Sequence, residues 1–316
     1  MHRRKIQLIA GTTYSLSLPK EWIKKNKLKE KDEILIYEKD NETLTLSPHP
    51  VENKELNEIS LDVDEHIYNL DQVLFAVYYT GVENICLHSK KELTKEVKSL
   101  IRKTLTHMSG TEIVYEDKQK ITIKVLLDKS KININFALYR INTLIDSSIS
   151  NLLGGLNITE IRINENEIDR LYHLIAKMVL LSLIDSDVLQ TSNIKNKLLV
   201  PSYFLMGKKL ENIGDNINHL SQYLFKTKSK CKTEKDIFNF IRTELGRCIS
   251  YVTHDSSKIF RKIESEKLKM MEDRISGLED KIIQNYLEGI IRFMVDIEDE
   301  IVNISFYNKL INDKIL

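Results

Sequence analysis

The sequence predicts an α+β protein of several domains, in which a small β domain and a small α/β domain precede a mainly α region of two three-helix bundles. Three observations predict it: short alternating apolar segments come first, strand-like and helix-like segments then alternate, and helical spacing dominates from residue 131 onward. Only four prolines and ten glycines interrupt the 316 residues, which favours long helices. The predicted domains are 1–50, 57–127, 131–228 and 233–316.

The composition excludes several classes of protein. With 42% hydrophobic and 29% charged residues and a net charge of +1, the chain has the balance of a globular protein, not a disordered one. The densest apolar run, 178–184, is far shorter than the ~18 residues that a spanning helix needs, so we expect no membrane insertion. The first residues do not resemble a signal sequence. Three scattered cysteines without a CxxC pair predict no disulfide framework and a reducing, cytoplasmic location.

The first domain is predicted to be a small β unit. Apolar alternation predicts four strands, at 5–9, 14–18, 34–37 and 43–46. Pro19 fixes the backbone for a short helix at 20–27 between the second and third strands. Because about 50 residues bury little apolar surface, a second copy of the segment is expected to complete the core. The sequence therefore predicts a homodimer through this domain.

The second domain is predicted to be a small α/β layer. Strands are expected at 59–63, 84–87, 111–115 and 121–126, and helices at 66–79 and 93–108. This β-α-β-α-β-β order predicts a sheet covered by helices. The segment contains no phosphate-binding loop and no catalytic constellation, which favours a packing or dimerising module.

The rest of the chain is predicted to be helical. Apolar residues recur at helical spacing, as in Ile168, Leu171 and Ile175. Six helices are expected near 131–153, 159–190, 199–228, 234–261, 264–279 and 281–312. Short connections between them predict two consecutive three-helix bundles.

An acidic pattern occurs twice in this helical region. The same Glu-x3-Asp-x3-His spacing occurs in two rows, Glu165, Asp169 and His173, and Glu211, Asp215 and His219. Residues four apart share a helix face, so each row presents two carboxylates to one point. If the two helices are neighbours, these like charges repel unless a cation neutralises them. The ligand types suit magnesium, manganese, iron or zinc, and they do not choose among these divalent or trivalent ions.

Two other interpretations of the acidic rows stay open. The spacing Glu-x3-Asp is common by chance, and the acids are then a solvated helix face. The acids are alternatively a general acid/base pair. No nucleophile with an adjacent base and no glycine-rich loop accompanies them, which disfavours hydrolysis.

Basic residues are concentrated at the N-terminus. Residues 1–31 carry nine Lys and Arg against two acids, although the whole chain is nearly neutral. Arginine and lysine supply the phosphate contacts that dominate DNA affinity, and a dimer doubles their number. The alternative is a solvated helix and loop. The candidate DNA-binding residues are Arg3, Arg4, Lys5, Lys20, Lys24 and Lys25.

The N-terminal segment resembles the SpoVT/AbrB family of domains. The resemblance rests on the segments SLSLPKEW at 15–22 and LKEKD at 28–32 and covers about residues 3–48. It implies an interlaced β dimer that binds DNA through basic residues, here Arg3, Arg4, Lys5 and Lys24. Glu30 and Lys31 stand where the family often has glycine before the Asp, which affects the turn more than the fold.

The helical region resembles the PhoU family of phosphate-signalling regulators. The resemblance rests on the segments ENEIDRLY at 165–172 and KLENIGD at 209–215 and covers about residues 131–228. It implies three-helix bundles whose acidic motifs bind metal clusters. Residues 233–316 resemble a degenerate second bundle, in which Asp296 and Glu300 have the two acid types reversed.

Together the three parts are similar to archaeal phosphate-uptake regulators over nearly the whole chain. This similarity implies a non-enzymatic, cytoplasmic, dimeric regulator of phosphate uptake or phosphate-responsive transcription, with DNA contact in the N-terminal domain and metal on the bundle. One alternative is an accessory protein that binds a phosphate transporter or a sensor kinase without binding DNA. The other is a helical carboxylate metalloenzyme, although the Glu-x-x-His spacing of such enzymes is absent around Glu165 and Glu211.

Overall fold

The computed structural model describes residues 4–39, 43–49, 57–229, 234–254 and 258–313. The chain divides into two compact units, Met1–Glu55 and Leu56–Leu316. The first unit holds the short strands at the N-terminus, and the second holds the α/β layer together with the long helices. The structure is thus α+β, with a small N-terminal β region and a mostly helical C-terminal part.

The first unit contains two separate two-stranded antiparallel sheets. β1 (Gln7–Ile9) pairs with β2 (Thr13–Ser15), and β3 (Leu35–Lys39) pairs with β4 (Thr43–Ser47). The turn between β1 and β2 places Ala10 and Gly11 at φ angles of 51° and 73°, in the left-handed region that glycine adopts without strain. The helix α1 (Lys20–Lys25) begins after Pro19, as the sequence predicts. None of the described residues of this unit is buried.

The α/β layer is a four-stranded sheet packed against two helices. Its strands are β5 (Glu58–Asp62), β6 (Asn84–His88), β7 (Thr111–Glu116) and β8 (Lys120–Val125), in the order β5-β6-β8-β7. β5 and β6 are parallel, and the other pairs are antiparallel. The helices are α2 (Leu70–Tyr79) and α3 (Lys95–Thr106). Leu74 and Ile101 of these helices share a buried core with Ile85 and Ile123 of the sheet, so the predicted order of elements is confirmed.

Seven helices follow in the described part of the chain, and they share one hydrophobic core. They are α4 (Ile134–Leu153), α5 (Ile158–Ser182), α6 (Ser186–Thr191), α7 (Val200–Thr227), α8 (Lys235–Thr253), α9 (Ser265–Ser276) and α10 (Lys281–Asn312). α7 packs against both α5 and α10 and is therefore central. The division into two three-helix bundles stays a prediction, because the buried side chains form one continuous cluster. Within the described ranges, no helix is both long and apolar enough to cross a bilayer.

Two predicted helices are shorter in the structure. The helix expected at 159–190 breaks after Ser182, because the Asp185 carboxylate accepts hydrogen bonds from the backbone N–H groups of Asp187 and Val188 and so caps α6. The helix expected at 234–261 ends at Thr253, and residues 255–257 of that prediction lie outside the described residues.

The α/β layer packs along one face of α5. Nη1 of Arg170 donates a hydrogen bond of 2.8 Å to Oγ of Ser109, in the loop after α3. Further along α5, Leu181 lies against Gly81, which follows α2 at a φ of +84°. A Cβ atom at Gly81 would lie 2.7 Å from Cδ2 of Leu181, so a larger residue would require the Leu181 side chain to shift, and the positive φ independently favours glycine. The layer and the helices are therefore firmly joined within the second unit.

A buried lysine lies in the middle of this joint. Lys177 of α5 is 1% exposed, donates a hydrogen bond of 2.9 Å to the carbonyl oxygen of Tyr78, and places Nζ 3.9 Å from the centre of the Tyr78 ring. Burial without a carboxylate partner lowers the pKa of Lys177 to about 7. The joint therefore holds an amine that is only partly protonated near neutral pH.

We expect the free energy of unfolding to rise with pH above 7 because of Lys177. The unfolded chain keeps the lysine proton up to a pH of ~10.4, so the unfolded state binds more protons than the folded state between pH 7 and 10. One such group contributes up to ~1.4 kcal/mol per pH unit. Lys177→Met removes this contribution, measured as the difference between the two proteins in urea unfolding at pH 7 and 9.5.

Lys197→Met is the matched control, because Lys197 also donates to a backbone carbonyl, that of Leu183, but from the surface. An unchanged pH slope in Lys177→Met would contradict the burial of a titrating amine.

Candidate metal centre and DNA interface

Two glycines bring α5 and α7 close enough for their acidic rows to meet. A Cβ atom at Gly214 would lie 3.0 Å from Cδ1 of Ile168, and one at Gly207 would lie 3.1 Å from Cγ2 of Ile175. Each glycine therefore accommodates an isoleucine of α5 that a larger residue would push away. Because Gly214 and Ile168 directly precede Asp215 and Asp169, the close approach of these two residues sets the distance between the acids.

Three of the six predicted metal ligands converge between these helices. Glu165 and Asp169 of α5 and Asp215 of α7 each offer a carboxylate oxygen, and these three atoms lie within 4.8 Å of one another. All three residues are half-buried. The two acidic rows thus meet, as the sequence requires for a site, and do not face solvent on opposite sides.

The other three predicted ligands are outside this group of converging ligand atoms. The Glu211 carboxylate accepts hydrogen bonds of 2.6 and 2.7 Å from Nζ of Lys208, so it already has a cation. The ring of His173 stacks on Phe75 with 3.7 Å between ring centres, and its Nδ1 lies 2.5 Å from Oη of Tyr79. Burial lowers the pKa of His173 to about 4, so the imidazole is neutral and engaged by the α/β layer.

His219 is exposed, and its ring lies beside Tyr286 with 6.3 Å between centres. Neither histidine belongs to the group of converging ligands among the described residues. The helical spacing places each histidine one turn beyond the acids, where Tyr79 and Phe75 engage His173. His219 stays near enough that its charged form partly offsets the burial that raises the pKa of Glu165 and Asp215.

The charged forms of the acidic side chains in the two rows are disfavoured. Burial raises the pKa of the carboxyl groups of Glu165, Asp169, Glu211 and Asp215. At Asp169, repulsion from Glu165 and Asp215 adds to burial, and the pKa reaches about 8. A bound cation would reverse both effects, because it replaces lost hydration and neutralises the mutual repulsion.

Two polar atoms beside this cluster lack hydrogen-bond partners. Oδ1 of Asp169 is buried and accepts no hydrogen bond among the described residues, and Nδ1 of His107 is likewise buried without a partner. Nδ1 of His107 lies 3.9 Å from Oδ2 of Asp169. Buried polar atoms are normally satisfied, so both atoms fit a site that takes a cation. No local sequence signal points to His107, which lies in the α/β layer far along the chain from both acidic rows.

In a second group of buried acids, basic side chains of the protein itself bind the carboxylates. Glu244 of α8 accepts hydrogen bonds of 2.7 and 2.6 Å from Arg247 and Lys267, and Arg247 also binds Glu298 of α10. Burial raises the pKa of Glu244, but these two cations outweigh burial and lower it overall. The protein's own basic residues thus offset burial at Glu244, whereas at Glu298 burial still raises the pKa.

The predicted DNA-binding residues of the N-terminal unit are exposed where they are described. Lys20, Lys24 and Lys25 lie on α1, and Arg4 and Lys5 precede β1. Arg3 lies outside the described residues.

The same unit exposes apolar side chains on every strand. Leu8, Tyr14, Ile36 and Leu44 are each more than half exposed, with fractions of 55, 69, 63 and 65%. Apolar side chains that are exposed together in this way usually mark a surface that another protein surface covers. The described residues of the unit therefore form no buried core.

Comparison with known families assigns this N-terminal unit. The sequence model of the family described as "Antidote-toxin recognition MazE, bacterial antitoxin" matches residues 7–54. The match confirms the AbrB-like N-terminal domain, a class of small domains that commonly bind DNA and dimerise. It does not extend into the helical region, whose resemblance to the PhoU family gains no support from it. Searches of curated proteins and of solved structures gave no match.

We expect the metal-free protein to lose stability as the pH rises from about 4 to about 8. The folded state keeps the Asp169 proton up to about pH 8, whereas the unfolded state loses it near pH ~4, so folding is favoured at the lower pH. Asp169→Asn removes this contribution of up to ~1.4 kcal/mol per pH unit. Urea unfolding in chelator at pH 5 and 8 measures the difference.

Asp187→Asn is the control, because Asp187 is an exposed acid of the neighbouring helix α6. Equal pH slopes for Asp169→Asn and the unchanged protein would contradict the raised pKa.

Proposed function

We propose that the protein is a non-enzymatic, cytoplasmic DNA-binding regulator whose helical part binds a divalent cation. The observation that carries this proposal is the MazE/AbrB-like domain, which presents exposed lysines on its short helix α1. The similarity to phosphate-uptake regulators supports phosphate status as the signal. Metal occupancy of the site between α5 and α7 would then change the affinity of the N-terminal units for a promoter.

DNA contact depends on a dimer. The apolar side chains of β1 to β4 are exposed in the single chain, and a second copy is the surface that covers them most simply. Two copies double the number of lysines that face a duplex, which strengthens the phosphate contacts.

Metal binding is supported by the chemistry of the donor set. Three carboxylates with raised pKa values converge. Oδ1 of one of them, Asp169, is buried and has no hydrogen-bond partner among the described residues. Glu165, Asp169 and Asp215 would hold the ion, and magnesium, manganese, iron and zinc all accept carboxylate ligands. When bound, the ion supplies the positive charge that these residues lack.

A second candidate function is an antitoxin-like role. The matched family consists of bacterial antitoxins by its description, so the N-terminal unit is equally compatible with a toxin as its partner. The accessory role, with a phosphate transporter or a sensor kinase as partner and no DNA contact, also keeps the helical site. The metalloenzyme interpretation gains least support, because neither His173 nor His219 belongs to the group of converging ligand atoms among the described residues.

We expect Lys24→Ala/Lys25→Ala to weaken binding to duplex DNA from the protein's own promoter region. Removal of one phosphate contact makes the slope of log K against log salt shallower by roughly 0.9. A salt series of fluorescence anisotropy measures both the affinity and the slope. Lys118→Ala/Lys120→Ala, two exposed lysines of the α/β layer, is the matched control. Failure of the unchanged protein to bind DNA at low salt would favour the accessory or antitoxin-like role.

We expect Glu165→Gln/Asp215→Asn to abolish the metal that co-purifies with the protein. Elemental analysis of protein purified without chelator and exchanged extensively into clean buffer measures the bound ion. Glu160→Gln/Asp187→Asn removes the same charge from exposed positions and is the control. Equal metal content in the two variants would indicate that the acids of the cluster are solvated and bind no metal.

A further inference from the structure

We propose that a cavity at one end of the helical core binds a small hydroxy acid, whose carboxylate lies at the rim and whose hydroxyl group reaches the floor. The proposal goes beyond the DNA and metal binding proposed above and depends on neither of them.

The cavity lies where α4 and α7 begin and where α8 and α10 end. Its volume of about 120 Å³ gives room for a few water molecules or for one small molecule. The lining residue Tyr203 precedes Asp215 by twelve residues of α7, which is ~18 Å of helix. The cavity is therefore separate from the acidic rows.

Buried polar side chains form the floor of the cavity. Asn135, in the first turn of α4, is 7% exposed, and its Oδ1 atom has no hydrogen-bond partner among the described residues. The same holds for Oδ1 of Asn308 on α10. An amide can turn either its oxygen or its nitrogen toward a ligand. Because buried polar groups normally have partners, these two amides fit a cavity that takes a polar molecule.

Tyr203 adds a hydroxyl group to this floor. Its side chain is 5% exposed, and burial raises the pKa of the hydroxyl to about 12. The group therefore stays protonated, and it can donate one hydrogen bond and accept another.

One side of the cavity is apolar. Val252, near the end of α8, and Ile304 of α10 are both buried, and both line the space. Such a wall packs against carbon atoms, whereas an ion that is polar on every side gains nothing from it. The wall thus favours an organic molecule over inorganic phosphate.

The rim of the cavity carries positive charge. Lys195 and His254 are exposed and line the space, and no Asp or Glu is among the described residues that line it. The loop that presents Lys195 is fixed by Ile194, which is buried, and by Asn193, whose φ of 59° turns the chain. A lysine at the entrance with no acidic residue beside it favours an anionic ligand.

These three surfaces together describe one class of molecule. The rim suits a carboxylate, the wall suits a short carbon skeleton, and the floor suits a hydroxyl group. A hydroxy acid of three carbon atoms carries all three features and is small enough for the volume.

The test measures binding of D-glycerate and L-lactate to the full chain by saturation-transfer difference NMR and by calorimetric titration. Glycerol is the matched neutral probe, because it keeps the three carbons and the hydroxyl groups but lacks the carboxylate. Inorganic phosphate is the probe for a purely inorganic anion. We expect D-glycerate to bind at least tenfold more tightly than glycerol or phosphate.

Two variants locate the binding. We expect Lys195→Gln to weaken D-glycerate binding about tenfold, because a hydrogen bond between charged groups is lost, and Tyr203→Phe to weaken it about threefold to tenfold. Lys197→Gln is the matched control, since Lys197 is also exposed and donates to the carbonyl oxygen of Leu183. Thermal unfolding without ligand checks that each variant is folded.

The outcomes decide the proposal. If neither hydroxy acid binds, the cavity holds only water and the proposal fails. Equal binding of glycerol, or binding of phosphate alone, would overturn the class of ligand. Binding of D-glycerate that is unchanged in both Lys195→Gln and Tyr203→Phe would overturn the site. Each of these failures leaves the proposed DNA and metal binding untouched.

Discussion

Mutual repulsion among half-buried carboxylates is the constraint on which the rest of this structure depends. Glu165, Asp169 and Asp215 meet between α5 and α7, and among the described residues no lysine or arginine forms an ion pair with them. Two glycines of α7 permit the close approach of α5 and α7, although a larger distance between these helices would relieve the repulsion among the acids. The apolar core shared by these helices therefore holds the charges in place. Protonation of Asp169, whose pKa is raised to about 8, relieves part of this repulsion, and a bound cation would relieve it as well.

The same core contains the contrasting case, in which Arg247 and Lys267 neutralise Glu244 and Glu298 internally. Both clusters lie between long helices, and both bury carboxylates beside apolar surface. A guanidinium fixes one geometry permanently, whereas an exchangeable ion leaves the geometry dependent on its supply. The first arrangement therefore has a fixed geometry, whereas the second would respond to the supply of the proposed ion.

Regular patterns predicted much of this from sequence. Period-2 and period-3.6 spacing indicated the order of strands and helices, and the repeated Glu-x3-Asp indicated four converging acids, of which three converge. The histidines of the same rows were misplaced, because spacing within a helix does not tell which neighbouring layer covers the next turn. Asp185 carried a readable capping signal that was missed. No sequence pattern shows that His107 lies beside Asp169, since only tertiary packing of the α/β layer brings the two side chains together.

The N-terminal unit has a consequence of its own. Because none of its described residues is buried, the described part of the unit has no interior, and the dimer proposed above would supply one. Folding of the unit is then a bimolecular reaction, and its extent depends on how much protein the cell contains. Dilution would then dissociate the proposed dimer and with it the proposed DNA-binding surface of the N-terminal unit. The abundance of the protein would itself become a signal, and the response to it would be steeper than that of a monomer.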